Sequence, residues 1–253
     1  MNGGDMRALN KILIAGSALL ILGQSNAISK TVEFSADAVI NIPQQATKHS
    51  KIYVGKQAVR REMNTNGQKI IEIVYPEQGR ALLINDQMRS FKERRFPAQS
   101  KDDNKTPCAQ INNSICENIG SESIDGIKTE KWQIVSNENG KKMRTLHWVD
   151  VKRKLAIREF FPDGSVSELK MIKKEKVNNR NVEKWERTLS RPDGKNIKSY
   201  QWYDNKLKIA IKEELPNGYS RELKNVKVGK QKEKLFEIPA GYMQVGNYPS
   251  MRN

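Results

Sequence analysis

The chain has 253 residues and carries 45 lysines and arginines against 29 acidic residues, a formal net charge of +16. This length is enough for one sizeable core and lies within the range that a single all-β domain reaches. Only one apolar stretch, near the N terminus, comes close to membrane length, and two histidines are too few for most catalytic triads. The composition therefore excludes a protein with several membrane spans and argues against an enzyme.

The N-terminal segment has the features of a signal peptide. Arg7 and Lys11 precede an apolar run over residues 12–22, and Ser25 and Ala27 supply small side chains three and one positions before a cleavage site. A retained membrane anchor is the competing interpretation, but a spanning helix needs about 20 apolar residues, and polar residues follow this run too early. We therefore predict cleavage after Ala27 and an exported protein with no transmembrane segment.

The predicted mature chain is strongly cationic. Cleavage leaves 43 basic and 28 acidic residues, a net charge of +15. A charge of this size outside the cytoplasm favours contact with anionic envelope surfaces, such as phospholipid or lipopolysaccharide head groups. Nucleic acid is not a predicted partner, because the lysines are dispersed along the chain and no binding motif is present. A solvated cationic surface without a dedicated partner stays open as the alternative.

The first half of the mature chain is predicted to form short β-strands. Asn66-Gly67 is the strongest hairpin signal, because both residue types adopt positive φ in tight turns. Glycines and prolines separate the other candidate strands, and no long stretch has a sustained helical period, so the helix content should be low. The predicted strands cover residues 31–40, 51–54, 58–63, 70–75, 81–84 and 88–91.

The only cysteines are Cys108 and Cys116, and in an oxidising compartment two cysteines this close together most simply form one disulfide. In the chain-entropy model this short loop would stabilise the fold by roughly 2–3 kcal/mol. It would hold the polar segment 101–120 between two β regions. A redox site is not predicted, since the two-residue spacing that lowers a thiol pKa is missing. Zinc is not predicted, since only His49 and His147 could complete four ligands.

The second half of the chain contains an internal repeat. Glu130-Lys131-Trp132 recurs as Glu183-Lys184-Trp185, and Trp148-Val149-Asp150 recurs as Trp202-Tyr203-Asp204, at an offset of 53 and then 54 residues. A unit of this length holds about four short strands joined by turns, so each copy is predicted to form a β-meander. The two units cover residues 124–176 and 177–230.

Hydrophobic and polar side chains alternate along these predicted strands. Trp132 and Ile134 share one face, as do Leu146 and Trp148. Such strands belong to an antiparallel sheet with one solvated face, and the sheet must curl or find a cover to bury the other. The aromatic residues therefore either pack in an ordinary sheet core or line an apolar cavity that faces a lipid. The candidate cavity residues are Phe91, Trp132, Ile134, Trp148, Trp185 and Trp202.

Two segments match strand patterns of a known superfamily. The first is a strand ending at Tyr75-Pro76, followed by Gly79-Arg80-Ala81-Leu82-Leu83-Ile84-Asn85 and Met88-Arg89-Ser90-Phe91; the second is Leu235-Phe236-Glu237-Ile238-Pro239-Ala240-Gly241-Tyr242. They resemble, respectively, a proline-linked strand pair and the closing strand with its Pro-x-Gly turn in the outer-membrane lipoprotein carriers and receptors, LolA and LolB. The resemblance implies one mainly β domain over residues 28–253, built as a curved antiparallel sheet that forms an incomplete, half-open β barrel.

The same resemblance implies a periplasmic carrier or binding protein for a lipid, a lipoprotein or another apolar ligand. The acyl chains of such a lipid or lipoprotein are then candidate partners. No nucleophile elbow, metal-binding helix or phosphate loop is present, so we predict no enzyme, no metal site and no cofactor. Carboxylate pairs such as Glu213 with Glu214, or Glu159 with Asp163, are interpreted as surface ion pairs. A protein-interaction or envelope-sensing module and a hydrolase with an unrecognised site stay open as alternatives.

Overall fold

The computed structural model describes residues 32–98, 106–107, 114–138 and 140–247. The predicted signal peptide, with its cleavage site at Ala27, lies outside the described residues, as does Cys108. Strands make up 65% of the structure and helix 4%, which confirms the prediction of a mainly β chain with little helix. The described helices are 3-10 turns of three and four residues, and none of them has the length or hydropathy of a membrane span.

Sixteen strands form one sheet. They are β1 (Phe34–Asn41), β2 (Lys48–Val54), β3 (Val59–Thr65), β4 (Gln68–Tyr75), β5 (Arg80–Asn85), β6 (Ser90–Arg95), β7 (Ser114–Ile124), β8 (Ile127–Glu138), β9 (Lys141–Asp150), β10 (Ala156–Phe160), β11 (Val166–Val177), β12 (Arg180–Ser190), β13 (Asn196–Asp204), β14 (Ile209–Glu214), β15 (Ser220–Val228) and β16 (Met243–Asn247). The short 3-10 helices lie at Pro76–Gln78 and Glu233–Phe236.

The sheet is two meanders joined at their inner strands. Their spatial order is β16-β6-β5-β4-β3-β2-β1-β15-β14-β13-β12-β11-β10-β9-β8-β7. The chain therefore crosses from one end of this order to the other between β6 and β7, and returns strand by strand until β15 pairs with β1. Neighbours are antiparallel apart from β16, which runs parallel to β6. The sheet is curved and is not closed into a barrel, as predicted.

Tight turns fix the local strand pairing. Asn66 and Gly67, at φ of 51° and 75°, connect β3 to β4, and Thr65 lies directly opposite Gln68. Positive φ at both central residues matches the right-handed twist of the flanking strands, so this predicted hairpin is confirmed. The proline-linked pair is also present: β4 ends at Tyr75, a 3-10 turn begins at Pro76, and Gly79 ends it at φ 58° before β5 begins.

Three clusters of buried apolar side chains make up the described core. One lies at the junction of the two meanders and includes Phe34, Ile52, Leu223 and Trp202. A second, on β4 and β5, contains Ile71, Ile73, Leu82 and Ile84. The third lies on the second meander and contains Leu155, Ile157, Leu169, Trp185 and Tyr203. The four tryptophans thus lie in strands of the second meander, three of them buried.

The C-terminal segment differs from its predicted form. Residues 235–242 were expected to hold the closing strand and its Pro-x-Gly turn. The turn is present, but the segment also contains the end of the 3-10 helix, and the strand, β16, begins only at Met243. Pro239 lacks an N–H for strand pairing, and Gly241 has φ 78°, so this segment turns instead of extending. Phe236, Ile238 and Tyr242 pack on the β4–β5 cluster, so this segment contributes to the core.

The polar segment before the second meander also differs from expectation. Residues 101–120 were predicted to connect two β regions, whereas residues 114–120 belong to β7. This strand is exposed along most of its length, so it has no hydrophobic alternation by which a strand is recognised. Its hydrogen bonds to β8 hold it in the sheet.

Candidate functional site

The side chains of the sheet separate onto two faces. Residues directly opposite each other in neighbouring antiparallel strands point to the same side of a sheet. Trp132 lies opposite His147, His147 lies opposite Glu159, and Glu159 lies opposite Ser167. Ser167 in turn lies opposite Leu189, which is on the same side of β12 as Trp185. We call this side the Trp185 face. The opposite side carries Trp202, which lies between Lys184 and Lys212, and we call it the Trp202 face.

The six predicted cavity residues are divided between these faces. Trp132, Ile134 and Trp185 lie on the Trp185 face, whereas Phe91, Trp148 and Trp202 lie on the Trp202 face. The sheet therefore does not bring all six to one cavity. Trp185 is 0% exposed and Trp148 and Trp202 are buried, so packing accounts for their positions. A ligand role for any of the six stays a prediction.

Lysine side chains cover the tryptophans of the Trp202 face. The Nζ of Lys131 lies 4.8 Å from the Trp148 ring centre, and those of Lys184 and Lys212 lie 4.8 and 4.3 Å from Trp202. The Trp202 Nε1 donates a 2.7 Å hydrogen bond to Glu175. Lysine stems shield an aromatic ring while their ammonium groups stay hydrated, and the cation also attracts the ring face. This part of the Trp202 face is therefore a solvated, ion-paired surface over a local aromatic layer.

A polar network occupies the Trp185 face at β9 to β12. Arg187 donates to Glu159 at 2.7 Å and to the Ser167 hydroxyl at 2.6 Å, and Ser167 donates to Glu159 at 3.0 Å. His147 lies 3.3 Å from the same carboxylate. Burial lowers the pKa of His147, Glu159 raises it and Arg187 lowers it, and the net shift is downward.

This network contains a serine, a histidine and a glutamate, but it lacks the order of a catalytic triad. Nucleophilic catalysis requires the histidine to accept the proton of the serine hydroxyl. Among the described contacts, Ser167 bonds the carboxylate of Glu159 and the guanidinium of Arg187, while His147 contacts the other oxygen of Glu159. The carboxylate therefore lies between the two groups, and the network acts as a structural link between strands.

A second polar group on the Trp185 face lies on three neighbouring strands, β13, β14 and β15, next to the junction of the two meanders. Gln201, Glu213 and Arg221 lie directly opposite one another on β13, β14 and β15. Gln201 is 7% exposed and Arg221 is 3% exposed. Arg221 Nη2 contacts the Glu213 carboxylate at 2.9 Å. Among the described residues, neither Arg221 Nη1 nor Gln201 Nε2, both buried, has a hydrogen-bond partner.

Two further residues lie near this row. Arg61 on β3 pairs with Glu72 at 2.7 Å on the same face. Burial raises the pKa of Tyr219, while the charges of Arg221 and Arg61 lower it and that of Glu213 raises it, which leaves a net upward shift. Tyr219 therefore lies within the electrostatic reach of both arginines. Sequence analysis missed this group, because it considered Glu213 only as half of a surface carboxylate pair.

Buried acids also shape the turns after β9 and β13. Asp150 accepts the backbone N–H of Lys152 at 2.7 Å, and Asp204 accepts that of Lys206 at 2.8 Å. Arg153 donates to Asp150 at 2.9 Å and to both oxygens of Glu183 at 2.9 and 3.0 Å. These groups satisfy one another, so they form a structural cluster.

The predicted disulfide lies partly outside the described residues. Cys116 lies on β7 opposite Ile134, and its predicted partner Cys108 lies outside the described residues, so the disulfide stays a prediction. Within residues 32–98, 106–107, 114–138 and 140–247, no three histidine, cysteine or acidic side chains group together as metal ligands would. The residues of this part of the chain therefore provide no candidate metal centre.

Comparison with known proteins gives a family and several similar folds. A family model described as a domain of unknown function, DUF4412, matches residues 38–242. No curated protein matches the chain.

A solved LolA superfamily protein from Nitrosomonas europaea is 12% identical, with 86% of this chain and 96% of that chain covered and a TM-score of 0.37. A lipoprotein-sorting protein domain from Vibrio parahaemolyticus is 8% identical, with 82% and 90% covered and a TM-score of 0.36. A DUF1329 family protein from Desulfovibrio piger is 13% identical, with 83% and 91% covered and a TM-score of 0.30.

Proposed function

Because the chain belongs to the DUF4412 family, whose function is unknown, we propose a function from its own geometry: a non-enzymatic periplasmic carrier or binding protein for a lipid, a lipoprotein or another apolar ligand. The observation that carries the proposal is the Trp185 face of a curved, unclosed sheet. The extensive described contacts of the sheet are between neighbouring strands, apart from those of the 3-10 helix with β3, and this helix accepts a hydrogen bond from Arg60 on the Trp202 face. Among these contacts, no helical layer is therefore packed on the apolar side chains of the Trp185 face in the described structure.

The first meander offers apolar surface that is still accessible on this face. Met63, Ile70 and Leu83 lie on the Trp185 face of β3, β4 and β5, and each is half-buried. Acyl chains gain free energy in proportion to the apolar area that both partners remove from water. The open side of the sheet at these strands is therefore the proposed contact for acyl chains, and the buried Ile71, Ile73, Leu82 and Ile84 on the other face of β4 and β5 are core.

Native mass spectrometry of the mature protein from its own periplasm, before and after delipidation, tests the proposal. We expect a mass excess that disappears on delipidation, and uptake of a fluorescent fatty acid by the delipidated protein. Met63→Lys should weaken uptake, because it places a charge on the Trp185 face. Asn64→Lys, one residue along the same strand on the Trp202 face, is the matched control and should not. An absence of both bound lipid and uptake would contradict the proposal.

A second candidate function is a protein-interaction module, and the edge strand β7 favours it. No described strand pairs with its outer edge, and it carries Glu117 and Glu122 but no basic residue, in a chain of net charge +16. An exposed, proline-free edge can accept a further strand. The partner would be an extended segment rich in lysine or arginine. This function predicts that a basic β-forming peptide binds the wild-type protein, that Ile119→Pro abolishes this binding, and that an acidic peptide does not bind. Equal binding of the basic and the acidic peptide would contradict it.

A further inference from the structure

The row of Gln201, Glu213 and Arg221 on the Trp185 face contains hydrogen-bond donors that the protein does not use. Arg221 uses its Nη2 for Glu213, but its Nη1 is buried and has no acceptor among the described residues. Gln201 Nε2, on the other side of Glu213, is in the same state. Buried donors in native proteins are rarely left without an acceptor, so each such group requires an explanation.

Apolar side chains lie beside the row, next to the polar groups described above. Trp185 lies directly opposite Gln201 on β12, and Ile40 lies directly opposite Arg221 on β1. The indole is apolar apart from its buried Nε1, which also has no hydrogen-bond partner among the described residues. Leu223, two residues along β15 on the same face, is fully buried. Two donors set within apolar surface match a ligand that has acceptor oxygens next to hydrocarbon.

The charges of this region indicate which kind of acceptor fits. Glu213 balances Arg221, and Glu72 balances Arg61. No cation of these two pairs is left over to compensate a further anion, and burying an unpaired charge is far more costly than burying a neutral polar group. Neutral oxygens with free lone pairs, such as those of ester or amide carbonyls, satisfy N–H donors without adding charge.

We propose that Gln201 Nε2 and Arg221 Nη1 bind the carbonyl oxygens of neutral ester or amide groups that join acyl chains to a head group. This inference rests on the proposed function, since the acyl chains themselves would lie on the apolar residues of the Trp185 face. It adds that the ligand is recognised at its acyl linkage, and that neither a free carboxylate nor a plain hydrocarbon is the preferred ligand.

Ester and ether lipids of equal chain length test the proposal, because they differ in the carbonyl oxygens alone. Dioctanoylglycerol and dioctylglycerol would each compete with a fluorescent fatty acid for the delipidated protein. With two hydrogen bonds at stake we expect the ester to bind about tenfold more tightly than the ether. Octanoate should bind more weakly than the ester. Equal affinity of ester and ether, as expected if ordered water satisfies the donors, would overturn the proposal, and so would tighter binding of octanoate.

Gln201→Leu removes one donor without leaving a charge unpaired. It should reduce the ester preference to about threefold and leave ether binding unchanged. Gln133→Leu, the same substitution on the Trp202 face of β8, is the matched control and should keep the full preference. A double variant, Arg221→Met with Glu213→Met, removes the other donor together with its counter-charge and should also reduce the preference.

Two different failures are distinguishable in this experiment. If ester and ether bind equally well to the wild-type protein, or if Gln201→Leu keeps the full preference, the carbonyl site is wrong and the carrier function stands. If no lipid of either kind binds, the carrier function fails as well. Circular dichroism and urea unfolding of each variant exclude loss of the fold as the cause of lost binding.

Discussion

Arg153 holds together a cluster of buried charges, and replacing it by methionine tests whether this cluster stabilises the fold. Its guanidinium bridges Asp150 and Glu183 and lies 5.4 Å from the Trp185 ring centre. Asp150 is 1% exposed and Glu183 is 5% exposed. Arg153→Met leaves both carboxylates buried without their cation. Breaking a buried ion pair from one side costs about 3–5 kcal/mol.

This loss is large on the scale of a whole domain. The free energy of unfolding of a domain is usually about 5–15 kcal/mol, and in chains of this size each kcal/mol lowers Tm by roughly 2–4 °C. We therefore expect Tm to fall by roughly 6–20 °C. Urea unfolding followed by tryptophan fluorescence at pH 7 measures the same loss as a free energy.

Acidification should reduce the difference between the two proteins. In the wild type, burial raises the pKa of Glu183, but hydrogen bonds from Arg153 and Asn205 outweigh it and the net shift is downward. The stabilisation by Glu183 is therefore complete above its unfolded pKa and is lost as the pH falls through the folded pKa. In the variant, burial without Arg153 raises that pKa, so protonation relieves the unpaired charge. The loss caused by Arg153→Met should shrink between pH 7 and about pH 4.

A double variant supplies the control. Leu207 follows Asp204 by three residues, as Arg153 follows Asp150, and it is buried, so an apolar side chain fits a turn of this kind. Arg153→Met combined with Glu183→Met should recover part of the loss, because one unpaired carboxylate is removed together with the cation. A loss below about 1 kcal/mol, or one that is equal at both pH values, would refute the assignment of the cluster as a buried charge network.

Three further predictions concern backbone space, protonation and export. Gly79→Ala should lower the free energy of unfolding in urea by about 3 kcal/mol, because a Cβ there would lie 2.1 Å from the Phe96 carbonyl oxygen. Gly67→Ala is the control: a Cβ there meets nothing within 4 Å, so the loss should be about 1 kcal/mol. Equal losses in the two variants would contradict this. Burial lowers the pKa of His147, so on acidification the unfolded chain binds a proton at this histidine before the folded chain does, and stability is lost as the pH falls below about 6.5. His147→Gln should therefore flatten the dependence of stability on pH between about pH 5 and 7. An unchanged slope would refute this prediction. The exported protein should lack the residues up to Ala27 by intact mass, and a full-length mass would show a retained anchor.

Local features of the sequence predicted most of the strands. Asn66-Gly67 located the β3–β4 hairpin, because a turn with positive φ at both central residues depends on those two residues alone. Alternation placed Trp132 with Ile134 on one side of β8, since successive side chains of a strand point to opposite faces. Both signals act over a few residues, so they are present in the sequence before any tertiary contact forms.

Predictions failed where the evidence depended on distant residues. β7 was missed because it is exposed on both sides, so hydrophobicity does not alternate along it, and its pairing with β8 alone makes it a strand. Six aromatic and apolar residues were candidates for one cavity, with sheet packing as the alternative. The pairing register places Trp148 opposite Lys131 and Trp132 opposite His147, so the candidates lie on two faces, and their ligand role stays a prediction. A shift of one residue in register moves a side chain to the other face, and single strands do not reveal the register of their neighbours.

Strand positions and turn types, and with them the mainly β class, follow from backbone preferences and side-chain alternation that each short segment carries. Strand order does not follow from them. The pairing of β1 with β15 joins segments from the two ends of the described chain, and the row of Gln201, Glu213 and Arg221 exists only because β13, β14 and β15 lie side by side in one register. The two donors of that row that lack a partner are buried only in the assembled sheet. Burial and register belong to the assembled sheet, because both depend on which distant strands become neighbours.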